Sequence, residues 1–243
     1  MKSIKNLSLV LIFFISFTSF AQSGNKKIKG NGNVTTKSIT TSNYDEIKVT
    51  GQFKVLLIDG KEGNIKLSAE ENLLEYIEIE TKNNALNIRV KKGYNLTTSR
   101  GKYLKVTVPI DKISAVSLAG SGDIISEKII TEKDFKISLA GSGDIKIAFD
   151  SNNVSADVAG SGDIELKGKT DKLTAKVAGS GDIDAYGLTA NEVYVQVAGS
   201  GDAKVYCTDF MEARIAGSGD IYYKGKPKKT DTKVAGSGSI TQR

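Results

Sequence analysis

The sequence predicts an all-β protein: a parallel β-solenoid with rungs of about 19 residues, preceded by a less regular β-rich part. Three observations predict it. Ala-Gly-Ser-Gly recurs seven times, from Ala119, Ala140, Ala159, Ala178, Ala198, Ala216 and Ala235, at intervals of 21, 19, 19, 20, 18 and 19 residues. The residues between motifs alternate apolar and polar with period two, which is the mark of a half-buried strand and excludes an amphipathic helix. A unit this short cannot bury its own apolar row, so it must stack on its neighbours.

The first element is a leader. Lys2 and Lys5 precede a charge-free run from Leu7 to Phe20, and Ser19 and Ala21 place small residues where a signal peptidase cuts. Residues 1–21 therefore read as a signal peptide, with the mature chain starting at Gln22. A retained membrane anchor is the competing reading, but the apolar core is short for a span. No cysteine follows it to carry a lipid. The longest later apolar run is Val55–Ile58, too short for a helical span.

Residues 22–112 alternate less regularly, as in Phe53-x-Val55-x-Leu57 and Leu86-x-Ile88-x-Val90. They either continue the solenoid with longer rungs or fold into a sheet that caps the first one. Glu70–Leu74 can form one helical turn.

Residues 113–243 form the regular stack, each unit reading as strand, glycine corner, strand, variable loop. Apolar rows such as Leu173-x-Ala175-x-Val177 and Ile145-x-Ile147-x-Phe149 face inward, while Lys176, Lys146, Glu165 and Asp184 face water. The corner glycines are Gly120, Gly122, Gly141, Gly143, Gly160, Gly162, Gly179, Gly181, Gly199, Gly201, Gly217, Gly219, Gly236 and Gly238. A column of identical corners leaves no room for Cβ atoms, and the turn calls for positive φ. The general preference of parallel crossovers predicts a right-handed coil. The last motif lies close to Arg243, so the final rung is expected to be covered by an end-to-end homodimer or by another part of the chain.

The net charge of +6, part of it from Lys2 and Lys5, is spread along the chain. Nucleic-acid binding needs a concentrated basic face, so no nucleic-acid partner is expected. The one basic cluster, Lys224–Lys229, reads as a solvated turn. Cys207 is the only cysteine. It can join no intrachain disulfide and reads as a small buried hydrophobe.

The repeated Ala-Gly-Ser-Gly-Asp-Ile, its preceding strands, and Tyr44-Asp45-Glu46-Ile47-Lys48-Val49-Thr50-Gly51 resemble the GIN-domain family of auto-transporter adhesin head domains, common in Bacteroidetes. The resemblance runs from about Tyr44 to Ile240. It implies a β-solenoid in the cell envelope or at the surface, and it brings no catalytic residues. The few residues after Ile240 leave no room for a membrane barrel, so a complete auto-transporter is not expected.

Three function classes compete. In the first, the chain is an exported binding or adhesion module in the periplasm, on the outer surface or outside the cell. Its flat outer faces present Tyr186, Tyr194, Tyr206, Tyr222 and Tyr223 to a protein or glycan ligand, with no cofactor. Tyrosine is also an ordinary strand residue. The second is a polysaccharide-acting enzyme, disfavoured because histidine is absent and no unit departs from the repeat toward a carboxylate pair. The third is calcium binding through Asp123, Asp144, Asp163, Asp182, Asp202 and Asp220, the residues after each of the first six motifs, with Ser239 in the seventh. The alternation lacks the second glycine turn that would face each carboxylate with a partner. A backbone hydrogen bond in an Asx-type turn is the preferred role of these aspartates.

Overall fold

The computed structural model describes residues 25–243. The leader and the cut before Gln22 lie outside the described residues. The chain forms a β-solenoid of about seven turns. Apart from the pair Lys26–Lys29 and Tyr94–Thr97, the strands join in one 17-stranded sheet. The coil folds it into two walls, called the first and second sheets, and each regular rung gives one segment to each. The first sheet takes the segments that end in Ala-Gly, and the second takes those that follow the corner.

Equivalent residues of successive rungs pair in parallel and in register. Gly160 pairs with Gly179, Gly179 with Gly199, Gly199 with Gly217 and Gly217 with Gly236. The alternation dictates which side is buried: Leu173, Ala175 and Val177 are buried, as are their rung-to-rung partners Val193, Val195 and Val197. One continuous core runs the length of the stack. Cys207 lies within it, fully buried. Burial raises its thiol pKa, as expected for an inert packing residue.

One expectation changes. The sequence suggests a variable loop after each second-sheet strand. In four rungs the backbone instead stays extended through the bend, giving the long strands Asp144–Gly160, Asp163–Gly179, Ile183–Gly199 and Ala203–Gly217. Hydroxyls satisfy backbone carbonyls at the bend: Ser151 Oγ donates to the Ile130 carbonyl at 3.1 Å, and Thr170 Oγ1 to the Asn152 carbonyl at 2.9 Å. Outside the bend, the Asn152 and Asn191 amides donate to the two oxygens of Asp171 from the rungs on either side, at 2.6 and 3.2 Å.

The irregular part does both things the sequence allows. Glu46–Thr50 and Phe53–Asp59 form a true rung, paired in register with Ala115–Gly120 and Asp123–Ile130. Its corner is Thr50-Gly51-Gln52-Phe53, in which Gly51 has the positive φ of 121° and Phe53 stands where a repeat has its second glycine. Ala85–Val90 and Leu104–Ile110 add a further rung outside it, so spatial order departs from chain order. Beyond that rung, strands Asn64–Glu70, Val34–Thr40 and Ile77–Lys82 pair antiparallel and close the end. The expected helical turn is a 3-10 helix at Glu71–Tyr76.

At the other end, Lys229–Gly236 pairs with Ala203–Gly217 on one side only, and all of its residues are exposed. Among the described residues no other segment covers it. The inward rows become polar here: Met211, Ala213 and Val205 give way to Thr230, Thr232 and, by way of Tyr223, Gln242. Such polar substitution is how terminal repeats meet water.

Candidate binding surface

The outer face of the first sheet carries two adjoining columns of side chains. One runs Ala115, Lys136, Ser155, Thr174, Tyr194 and Glu212, and the other Asp134, Asn153, Lys172, Glu192, Phe210 and Lys229. Small Ser155 and Thr174 stand between longer neighbours. The result is an open depression of about 490 Å³ whose lining includes Glu46, Asp134, Phe135, Lys136, Asn153, Lys172 and Thr174.

One and two rungs beyond its last lining residues, Thr174 and Lys172, Tyr194 and Phe210 form a tilted aromatic pair, with centroids 5.7 Å apart and planes at 57°. Lys172 Nζ lies 4.3 Å from the Tyr194 ring centre, a cation–π contact. Asp134 accepts from the Asn153 amide at 2.7 Å, which engages one of its oxygens. The surface therefore offers two half-exposed rings, two lysines, the carboxylates of Glu46 and Asp134, and several hydroxyl and amide groups.

The five tyrosines expected on the outer faces do not share one surface. Tyr194 lies on the first sheet. Tyr186 and Tyr222 lie on the second, where Lys224 and Arg243 cover their rings at 4.3 and 4.9 Å. Tyr206 is half-buried in the same sheet, paired in register with Lys224. Tyr223 is a correction: it occupies the inward row between Val205 and Gln242 and packs against the core, because period two makes it follow Ile221 inward. Phe210 joins the surface without having been expected there, although its signal is legible. With Met211 inward, alternation leaves an aromatic ring facing water at the preceding position.

The aspartate column also differs from expectation. Four of the carboxylates bond to the next rung instead of their own turn. Asp163 Oδ1 accepts the Asp182 N–H at 3.0 Å, Asp182 that of Asp202 at 2.7 Å, and Asp202 that of Asp220 at 2.8 Å. Asp220 Oδ1 accepts the Ser239 N–H at 2.7 Å and its hydroxyl at 2.9 Å. The Ser239 hydroxyl, then the Ser239 N–H and the Tyr222 hydroxyl, hold the Asp220 carboxyl below the usual carboxylate range. Among the described residues no three Asp, Glu or Cys side chains converge as metal ligands would.

Each bond sets a charged acceptor on an N–H, which offsets the repulsion of carboxylates one rung apart, roughly 0.9 kcal/mol per pair in bulk water. Asn keeps the acceptor and removes the charge. Asp182→Asn is therefore expected to melt within about 2 °C of the wild type, with and without calcium. A chelator-dependent loss of stability in the wild type, absent from the variant, would instead assign the column to a cation.

A parallel β-solenoid with side-chain columns displayed on its outer faces is the class of protein these features define. The family model described as "Putative auto-transporter adhesin, head GIN domain" matches residues 43–227, and the chain belongs to that family. Among solved structures, one named "Putative lipid binding protein" from Parabacteroides distasonis is 30% identical, over 90% of this chain and 100% of that one, with a TM-score of 0.75. A "putative adhesin" from Bacteroides fragilis is 23% identical over 89% and 100%, with a TM-score of 0.81. Another from Parabacteroides merdae is 24% identical over 90% and 99%, with a TM-score of 0.72. No curated protein matches the chain.

Proposed function

We propose that the protein is an exported, non-enzymatic adhesion module that takes a glycan along the outer face of its first sheet. The observation that carries this reading is the depression that includes Lys136 and Lys172, followed on the same face by the Tyr194–Phe210 pair on the next two rungs. Rings accept the apolar faces of sugars, while lysines, Asn153 and Thr174 meet hydroxyl or carboxylate groups. The depression's lining runs over five successive rungs, from Glu46 to Thr174, roughly 19 Å, so it suits a short extended segment of a chain. Family membership supports surface recognition, and the adhesin names of the similar structures point the same way.

The name of the Parabacteroides distasonis protein raises lipid as a ligand. In this chain the interior rows are filled by Ile, Leu, Val, Phe and Ala side chains, so an acyl chain would have to lie on an outer face.

The test is a glycan array probed with the mature chain and with a Tyr194→Ala/Phe210→Ala variant, beside vesicles of neutral and anionic lipid. Both rings point outward, so the variant is expected to keep the wild-type fold. Glycan binding is expected to weaken at least about tenfold, the loss of one or two aromatic contacts. Equal binding by both forms, or binding to vesicles alone, would overturn the reading.

A further inference from the structure

We propose that the Lys229–Gly236 end docks a second copy of the chain, by antiparallel pairing of this strand with its counterpart about Thr232. The strand is hydrogen-bonded on one side only, so it offers a row of unpaired N–H and C=O groups. Its outward side chains are Lys229, Asp231, Lys233 and Ala235, and its inward ones Thr230, Thr232 and Val234.

The charge pattern is self-complementary in one register. With Thr232 opposite the partner's Thr232, Asp231 faces the partner's Lys233 and Lys233 faces the partner's Asp231. Lys229 then faces the partner's Ala235, and no like charges oppose each other. A shift of two residues one way sets Lys229 against the partner's Lys233 and Asp231 against the partner's Asp231. A shift of two the other way sets Lys233 against the partner's Lys233. Like charges directly opposite are unfavourable, so the sequence selects the register about Thr232. Arg214 Nη2, 2.7 Å from Asp231, holds that carboxylate on the rim.

The apolar groups at this end fit the same arrangement. Val234 is 43% exposed and Ile240 is half-buried, both on inward rows that continue the core. A two-fold axis normal to the sheets would lay Ile240–Gln242 against its own copy at the same time, giving an isologous contact that closes at two. The Lys residues that discourage indiscriminate edge pairing are the ones this partner accommodates. The end is only about 10 Å thick and about 25 Å long. The contact therefore falls at the small end of specific interfaces and forms only at high concentration.

Sedimentation of the mature chain from about 1 μM to about 1 mM, the range of weak association, is expected to show a monomer passing to a dimer and no larger species. Lys233→Asp sets Asp against Asp twice and is expected to raise the dissociation constant at least tenfold. Asp231→Lys/Lys233→Asp restores the pairing and is expected to recover most of the dimer. Thr232→Cys lies on the two-fold axis and is expected to give a disulfide-linked dimer on oxidation, with buried Cys207 taking no part. A monomer at every concentration would overturn the proposal. So would a dimer indifferent to the charge changes in variants that melt like the wild type, or a Thr232→Cys chain that does not cross-link.

Discussion

Gly179→Ala is expected to cost about 3 kcal/mol, the combined effect of backbone strain and a displaced neighbour. Gly179 has φ of +127°, which an L side chain rarely adopts, and a Cβ there would overlap the Gly160 carbonyl oxygen of the rung before. Gly181 is confined for one reason only. Its φ lies outside the positive range, yet its Cβ would overlap the Gly162 carbonyl oxygen and come within 2.9 Å of the Gly162 nitrogen. Gly101 shows the converse, with φ of +74° and no atom within 4 Å of the place a Cβ would take. Thermal melts of the three alanine variants therefore separate strain from contact. Gly101→Ala is expected to lose about 1 kcal/mol, Gly181→Ala about 2, and Gly179→Ala the most. For a chain this long the largest loss lowers the melting temperature by about 6–12 °C. Melts of Gly181→Ala and Gly179→Ala that match the wild type would remove backbone contact as the reason for the repeat.

That column is legible because the same constraint is written seven times. Where it is written once, the signal thins. The rung Glu46–Asp59 has the corner geometry of the others, but Phe53 replaces the second glycine, so only Gly51 and the flanking alternation mark it. The outer rung Ala85–Val90 with Leu104–Ile110 is not readable as such, because its order in space inverts its order in the chain. Alternation reports which face a residue takes and says nothing of which strand lies beside it.

The candidate surface divides in the same way. Alternation is enough to place Tyr194 and Phe210 outward and Tyr223 inward. What it cannot supply is that Phe210 stands one rung and one column from Tyr194, since that follows from register. It also cannot show that Ser155 and Thr174 leave a depression between Lys136 and Tyr194. The turn chemistry of the aspartates points correctly to backbone N–H partners, but on the wrong rung, because a local turn and a neighbouring rung offer the same kind of N–H at similar reach.

Glu70→Ala is expected to loosen the capped end while leaving the glycine stack intact. Glu70 is fully buried, which alone would raise its pKa. The Ser99 hydroxyl, the Ser99 and Gly32 N–H groups and nearby Lys102 outweigh that penalty and hold the carboxyl below its ordinary value. One oxygen accepts the Gly32 N–H at 2.5 Å and the other the Ser99 N–H at 2.9 Å. The side chain thus ties strand Asn64–Glu70 to two distant segments, the one after Lys26–Lys29 and the one after Tyr94–Thr97. Gly30 lies so close to the carboxylate that a Cβ there would overlap it, which fixes the approach of the first segment. Removing the carboxylate leaves two partly buried N–H groups without their acceptor and is expected to cost about 3 kcal/mol. Glu70→Gln keeps one acceptor and is expected to cost about 2 kcal/mol. Because the folded pKa is depressed, the contribution is present above the unfolded value of about 4.3 and is lost as pH falls through the folded pKa. Hydrogen exchange provides the measurement. In Glu70→Ala at neutral pH, and in the wild type once pH falls through the depressed folded pKa of Glu70, amides of residues 26–33 and 94–102 are expected to exchange faster, while those around Gly160, Gly179 and Gly199 stay protected. Uniform loss of protection along the whole chain, or none in the two tied segments, would show that Glu70 is not the pin of the cap.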